Sequence, residues 1–362
     1  NVTSYSIYRG HLVQEIHQVF NSWLSQTIRL YSNTSHVEFD WHVGSINVSD
    51  SVGKEVIFRL NSDLKSNSDF TTDSNGRQMM KRKRDFRPSV PDYYLTERVA
   101  GNYYPVNSRI FIQDDDEKSI QNPRQFTLVT DRSQGGSSLF DGSVELMLHR
   151  RLLHDDSLGV NAALNELGAD SNGLNIKGKI YLLFNTTKQS ARQHRDLSHR
   201  INSLPLVTFL TSSSSSSADL DGRLRHPKSF INAEPLPDNI HLLTLKQEFN
   251  NQNDSDSYSM ILRLEHYYEP NEDEVYSKEV NVDIQQLFND KLIRVISIQE
   301  LSLGANMDVE ELEKRLVFQS QEQETTNEFK SLNSNKFHLN QPFVINFQPF
   351  QIKTFRVIYT FF

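Results

Sequence analysis

Apolar and polar residues alternate along most of the chain. In HVEFDWHVGSINV, residues 36–48, Val37, Phe39, Trp41 and Val43 alternate with Glu38, Asp40 and His42, the period-two signature of a half-buried strand. The theme recurs in KEVIFRLNSDL, RIFIQ, RQFTLVTDRS and SVELMLHRRLL, with Gly, Asn, Asp and Pro between the runs. Helices of crossover length are missing between these segments, so the strands are read as antiparallel. Residues 1–210 are read as one large antiparallel β-sandwich. The serine run in TSSSSSSADLDG has too little apolar content to pack, and residues 211–234 are read as a flexible linker or loop. NIHLLTLKQEF, SYSMILRLEHYYE, SKEVNVDIQQLF, KLIRVISIQELSL and FQIKTFRVIYTFF then predict a smaller β-sandwich over residues 235–362. Helical spacing is confined to a few places. Ala191, His194, Leu197 and Ile201 share one face of KQSARQHRDLSHRINSL, and NAALNELG predicts one or two turns ending at Gly168. DVEELEKRL leads with acids and trails with bases, as the helix dipole favours. The fold class is mainly β, with few short helices.

Composition changes this picture little. A length of 362 residues agrees with two domains, and hydrophobic residues at 36% with aromatics at 10% suffice for two cores. The net charge of -8 gives no global field for nucleic acid. No apolar run approaches the roughly 20 residues that cross a bilayer. Cysteine is absent, which removes disulfide and thiolate chemistry. The start NVTSYSIYRG has neither Met nor a signal-peptide pattern, and is read as an internal fragment or a matured chain. Asn1, Asn33, Asn47, Asn185 and Asn253 each stand in an N-glycosylation acceptor, which points toward a secretory route.

The densest chemistry lies in ELMLHRRLLHDDSLGVN, residues 145–161. Strict alternation puts Val144, Leu146, Leu148, Arg150 and Leu152 on one face and Glu145, Met147, His149, Arg151 and Leu153 on the other. Arg150 is then expected on the apolar face, where arginine needs a carboxylate partner. Asp155 or Asp156 could supply a structural ion pair; the sharper alternative sets Arg150 at the floor of a site. His154 and Asp156 have the spacing of two metal ligands, but no further histidine cluster completes a zinc set. Adjacent aspartates cannot both face one point from an extended backbone, although a turn at DDSLG could bring them together. Gly135 and Gly136 lack the lysine of a phosphate-cradling loop and are read as a turn. The basic run from Lys81 to Arg84 is read as solvated. Tyr103 and Tyr104, before Pro105, carry the apolar faces and polar tips that suit sugars, or else form a packing corner.

Several stretches together resemble the class II α-mannosidases of glycoside hydrolase family 38, of the lysosomal type. They are LVQEIHQVFNSW, GKEVIFRLNSDL, FTTDSNGRQMMKRKRDFRP, VAGNYYPVNSRIFI and LVTDRSQGGSSLFDGSVELMLHRRLLHDD, with weaker matches at NIHLLTLKQEF and MILRLEHYYE. They run in family order over most of residues 11–168. The resemblance implies that this chain is the carboxy-terminal, β-rich portion of a retaining exoglycosidase that removes α-linked mannose from N-glycans. It places the zinc, the nucleophile and the acid/base carboxylate on an amino-terminal portion, so no metal and no catalytic residue is expected on this chain. It implies that one arginine of the HRR pair reaches toward the nucleophile, for which alternation makes Arg150 the first choice over Arg151, and that the TDSNG segment with Thr71, Asp73 and Asn75 lines the pocket. Thr71 stands where the family usually has tyrosine, and His154 where it often has lysine. Tyr103 and Tyr104 join the expected wall. Expected partners are the amino-terminal chain or chains of the same precursor and mannose-containing glycans, in a homo-oligomer of the assembled enzyme in the lysosome or outside the cell, with neither nucleic acid nor a membrane span. The alternative is a non-catalytic β-sandwich module that binds glycans or partner proteins.

Overall fold

The structure is a computed structural model that describes residues 2–87, 94–115, 121–207, 209, 231–232, 236–248, 257–313 and 343–362. It divides into two units, Asn1–Leu206 and Val207–Phe362. The first holds β1 Ser4–Arg9, β2 Val13–Asn21, β3 Leu24–Tyr31, β4 His36–Val43, β5 Lys54–Asn61, β6 Asp69–Ser74 and β7 Gln78–Lys83. It continues with β8 Tyr104–Val106, β9 Arg109–Gln113, β10 Arg124–Thr130, β11 Gln134–Ser137, β12 Ser143–Arg151, β13 Ile176–Thr186 and the helix α1 Thr187–Asn202. Two antiparallel sheets result. One has nine strands in the order β1-β2-β3-β4-β13-β10-β9-β6-β7, and the other has four, β5-β12-β11-β8.

Alternation builds the core between these sheets. Phe39, Trp41 and Val43 of β4 meet Phe58 of β5, Ile110 and Ile112 of β9, and Val144 and Leu146 of β12 in one buried cluster. Side chains of this size each contribute roughly 1.5–3 kcal/mol when fully buried. α1 covers part of the outer face of the nine-stranded sheet, where Leu197 packs with Val129 and Leu183. Ala191, His194 and Leu197 are buried on the expected helical face.

Two local expectations fail. NAALNELG forms no helix. Asn161 there has a left-handed backbone, with φ 54°, and the Leu152 N–H donates to Leu164 at 3.0 Å, tying the segment to the end of β12. Gly135 and Gly136 lie within strand β11 rather than in a turn. A Cβ on Gly136 would stand 2.7 Å from Val106 and 3.1 Å from Ile110 and Leu146, so glycine is required by close packing between layers.

The second unit pairs β14 Ile240–Glu248, β15 Tyr258–His266, β19 Ile352–Phe361 and β17 Ile293–Leu301 in a four-stranded sheet, and β16 Val280–Asp283 with β18 Val344–Phe347 in a second. Leu262, Leu264, Phe347, Phe355 and Val357 anchor its core. The serine run lies outside the described residues. Ile231 bridges Phe288 and the Asn232 amide donates to Gln286 at 2.6 Å, so the end of the expected linker belongs to this unit. A short helix at Val309–Glu313 begins the expected DVEELEKRL helix, whose remainder is outside the described residues. Among the described residues no helix is long and apolar enough to cross a membrane.

Candidate functional site

The four-stranded sheet carries the arginine-rich segment, and a bulge decides where its side chains point. Leu146 pairs with Phe58 and Met147 with Ile57, but His149 then pairs with Val56. Leu148 is the extra residue, and such an insertion exchanges the faces of every residue after it. Arg150 therefore pairs with Glu55 and shares the outer face with Glu145, while Arg151 turns to the side of Val144 and Leu146. This corrects the expectation that Arg150 lies on the apolar face. Its partner is also different: Arg150 Nη1 stands 3.6 Å from Glu55, with its side chain 44% exposed. Arg151 is the one with a fixed structural role, donating to the Ile46 carbonyl at 2.8 Å and to Asn165 Oδ1 at 2.6 Å.

Beside Arg150 the outer face holds a group that sequence reasoning missed. Glu145 is 1% exposed. Arg59, directly opposite on β5, donates to it at 2.6 Å through Nε and stands at 2.5 Å through Nη2. The Tyr103 hydroxyl donates to the other carboxylate oxygen. Burial, and then this carboxylate, hold the Tyr103 phenol well above its usual range, so it remains a donor. Its ring lies over β11, where a Cβ on Gly135 would meet it at 3.2 Å. The Arg59 guanidinium also lies 5.4 Å from the Phe140 ring centre. Alternation alone puts Arg59 and Glu145 at outward positions. Only the pairing of strands 86 residues apart brings their charges together.

The TDSNG segment belongs to the other sheet. Asp73 is 1% exposed, and its carboxylate is taken up by backbone: Oδ1 accepts from Ser108 and Arg109, each at 2.9 Å, and Oδ2 from Gly76 at 2.7 Å. Asn75 and Gly76, with φ 54° and 75°, make the β6–β7 hairpin turn, as Asn-Gly favours. Asn75 is exposed there and Thr71 is half-buried in β6. Tyr104 packs edge-on against Phe70 at 5.7 Å, and the guanidinium groups of Arg82 and Arg87 lie 4.6 and 5.0 Å from its ring centre. The structure thus ties Tyr103 to the β12 cluster and Tyr104 to the β6–β7 hairpin.

In the basic run Lys81 and Lys83 are exposed, as expected, whereas Arg82 and Arg84 are half-buried. Lys81 pairs with Asp69 at 2.7 Å, and Arg84 donates to the Ser138 carbonyl and to Asp141, each at 3.1 Å. DDSLG does turn, with the Leu158 N–H donating to Asp156 at 3.0 Å. Among the described residues no group of three metal-ligating side chains includes His154 or Asp156. Asn33 and Asn47 are exposed and Asn185 is half-buried in β13, while Asn1 and Asn253 lie outside the described residues.

Residues 2–158 match the family described as "Glycosyl hydrolases family 38 C-terminal domain", and residues 239–355 match "Glycosyl hydrolases family 38 C-terminal beta sandwich domain". The chain belongs to glycosyl hydrolase family 38. Among relatives, lysosomal alpha-mannosidase of Cavia porcellus is 39% identical over 348 residues, covering 95% of this chain and 32% of that protein. The Homo sapiens lysosomal alpha-mannosidase is 39% identical over 346 residues, covering 95% and 31%, and the Canavalia ensiformis alpha-mannosidase 36% over 355, covering 96% and 34%. The chain thus spans about a third of the length of the curated relatives it matches. The crystal structure of an alpha-mannosidase from Enterococcus faecalis V583 superposes with a TM-score of 0.50 at 11% identity, over 95% of this chain and 29% of that one. A second family 38 protein from Enterococcus faecalis gives 0.54 at 10%, over 98% and 36%. At such identities the two structures speak to the fold alone.

Proposed function

We propose that this chain is the carboxy-terminal part of a lysosomal-type α-mannosidase and completes one wall of its pocket. The observation that carries this reading is similarity to lysosomal alpha-mannosidases along 95% of the chain. The proposed reaction is the retaining, zinc-dependent removal of terminal α-linked mannose from N-glycans. In this reading the nucleophile, the acid/base carboxylate and the zinc ligands belong to the amino-terminal portion. Zinc supplies Lewis-acid contact to sugar hydroxyls when bound.

What this chain offers is a guanidinium held at an outward strand position. Glu55 sits close enough to Arg150 to orient it, yet the 3.6 Å separation leaves donors for a further carboxylate or a sugar hydroxyl. The neighbouring Tyr103–Glu145–Arg59 group is closed on itself. It stiffens the sheet from which Arg150 projects. Lysosomal or secretory location follows the same relatives, and glycosylation at Asn33 and Asn47 agrees with their exposure.

Native mass spectrometry on protein from its natural source, with zinc analysis and a nitrophenyl α-mannoside assay, tests the reading. A larger zinc-containing complex that hydrolyses the mannoside is expected, while the isolated chain should hydrolyse nothing. A lone chain without metal, or robust hydrolysis by this chain alone, would contradict it.

A further inference from the structure

On the opposite side of the first sandwich from Arg150, along the flank of α1, the nine-stranded sheet carries a cleft of about 590 Å³. That volume lies inside the roughly 300–1,000 Å³ typical of small-molecule sites. One wall is strand. His36 and Asp40 come from β4, and Lys179 and Tyr181 from β13, with Asp131 and Arg132 just past β10. The other wall is the carboxy-terminal half of α1, with Leu197, Ile201 and, just beyond, Leu204.

Arg132, Asp131, Asp40 and Lys179 of this cleft are held before any ligand arrives. Arg132 grips Asp131 through two bonds of 3.0 and 3.1 Å, donates to the Lys177 carbonyl at 2.5 Å, and lies 5.5 Å from the Trp41 ring centre. Asp131 in turn accepts the Lys179 N–H at 2.9 Å. Asp40 accepts from Arg29 at 2.8 Å, and Lys179 Nζ reaches Glu38 at 3.0 Å. Holding groups in advance removes the ordering entropy that binding would otherwise cost.

The balance of charge selects the ligand. Arg132, Lys177, Lys179 and Arg200 line the cleft with Asp40 and Asp131, and Glu38 and Asp196 pair with Lys179 and Arg200 from just outside. With Arg29 on Asp40 and Arg132 on Asp131, five of the six lining charges are thus already paired with a group of opposite sign. An anion would find donors but also Asp131 and Asp40; a cation would meet the reverse. A neutral polyol suits both, because each hydroxyl donates and accepts. The apolar side chains of Leu197 and Ile201 and the ring of Tyr181, steadied edge-on by His36 at 5.5 Å, match the C–H face of a sugar.

We infer that this cleft is an accessory binding site for a neutral oligosaccharide, separate from the pocket wall on the four-stranded sheet. The choice of mannose as the sugar rests on the proposed function.

Titration calorimetry of the 362-residue chain with an α-linked mannotriose tests this. Saturable binding is expected, weakened at least tenfold by Arg132→Ala. Leu204→Trp is the second variant: Leu204 is 76% exposed at the lip, so a larger side chain there obstructs the cleft without disturbing the core, and binding should again fall at least tenfold. Absence of saturable binding, binding indifferent to both substitutions, or tighter binding of a sulfated triose than of the neutral one would each overturn the inference. The readout is binding by this chain alone. Failure of the assembled protein to hydrolyse a mannoside would therefore count against the proposed function without touching this result.

Discussion

Leu148 decides which arginine is available. Without it, alternation would bury Arg150 and expose Arg151; with it, Arg150 faces outward beside Glu55 and Arg151 is spent on Ile46 and Asn165. The sequence reveals that two arginines are adjacent but not the insertion, because a bulge is defined only against the partner strand. The alternation that singled out Arg150 does not hold past the bulge; Arg150 faces outward because Leu148 is inserted before it. Asp73 entered only through the resemblance, as part of the pocket wall, and its bonds to backbone were not legible. Its two oxygens satisfy three backbone N–H groups in a nearly closed environment. Asp73→Ala should lower unfolding free energy by about 2 kcal/mol or more, at about 1–3 kcal/mol for each of the buried Ser108 and Arg109 donors left without a partner, whereas Asp73→Asn keeps acceptor oxygen and should cost less. Urea unfolding of both variants measures this, and equal midpoints for Asp73→Ala and the parent would refute it.

The elements themselves were largely readable. Segments such as HVEFDWHV and VELML declare strands because one face is apolar, and α1 declares itself by its buried stripe. Register and sheet membership were hidden, since they depend on pairings such as that of Arg59 with Glu145, far apart in the chain. At Gly135 and Gly136 composition misleads: a glycine pair resembles a turn, yet here it lets two layers approach. α1 also carries a pH dependence. His194 is buried, stacked on Phe111 at 5.9 Å and near the cations Arg109 and Arg195, so burial and then these charges hold its imidazole well below 6.5. Below about pH 6.5 the unfolded chain takes up a proton that the folded one refuses. The stability that this neutral histidine contributes is thus full above that pH and falls as the pH drops, by up to about 1.4 kcal/mol per unit. His36 and His149, also lowered by burial, act in the same direction. Chemical unfolding at pH 6.5 and 5 should show this loss, with a shallower slope in His194→Gln; parallel slopes would contradict the assignment.

At the scale of the molecule, the first unit is a two-layer sandwich whose layers present different chemistry outward. The four-stranded sheet shows the Arg150–Glu55 pair on the same face as the Tyr103–Glu145–Arg59 group, and the nine-stranded sheet shows the ion-paired cleft beside α1. The chain spans about a third of its relatives, and both sandwiches match the same family; the proposed role is that it completes one wall of a pocket. The measurement that bears most directly on this is turnover of the assembled enzyme carrying Arg150→Ala, with its assembly checked by native mass spectrometry. A fall in kcat of about 100-fold, the scale on which a single charged donor acts in a transition state, is expected with assembly intact. Unchanged turnover in a fully assembled complex would remove this chain from the pocket.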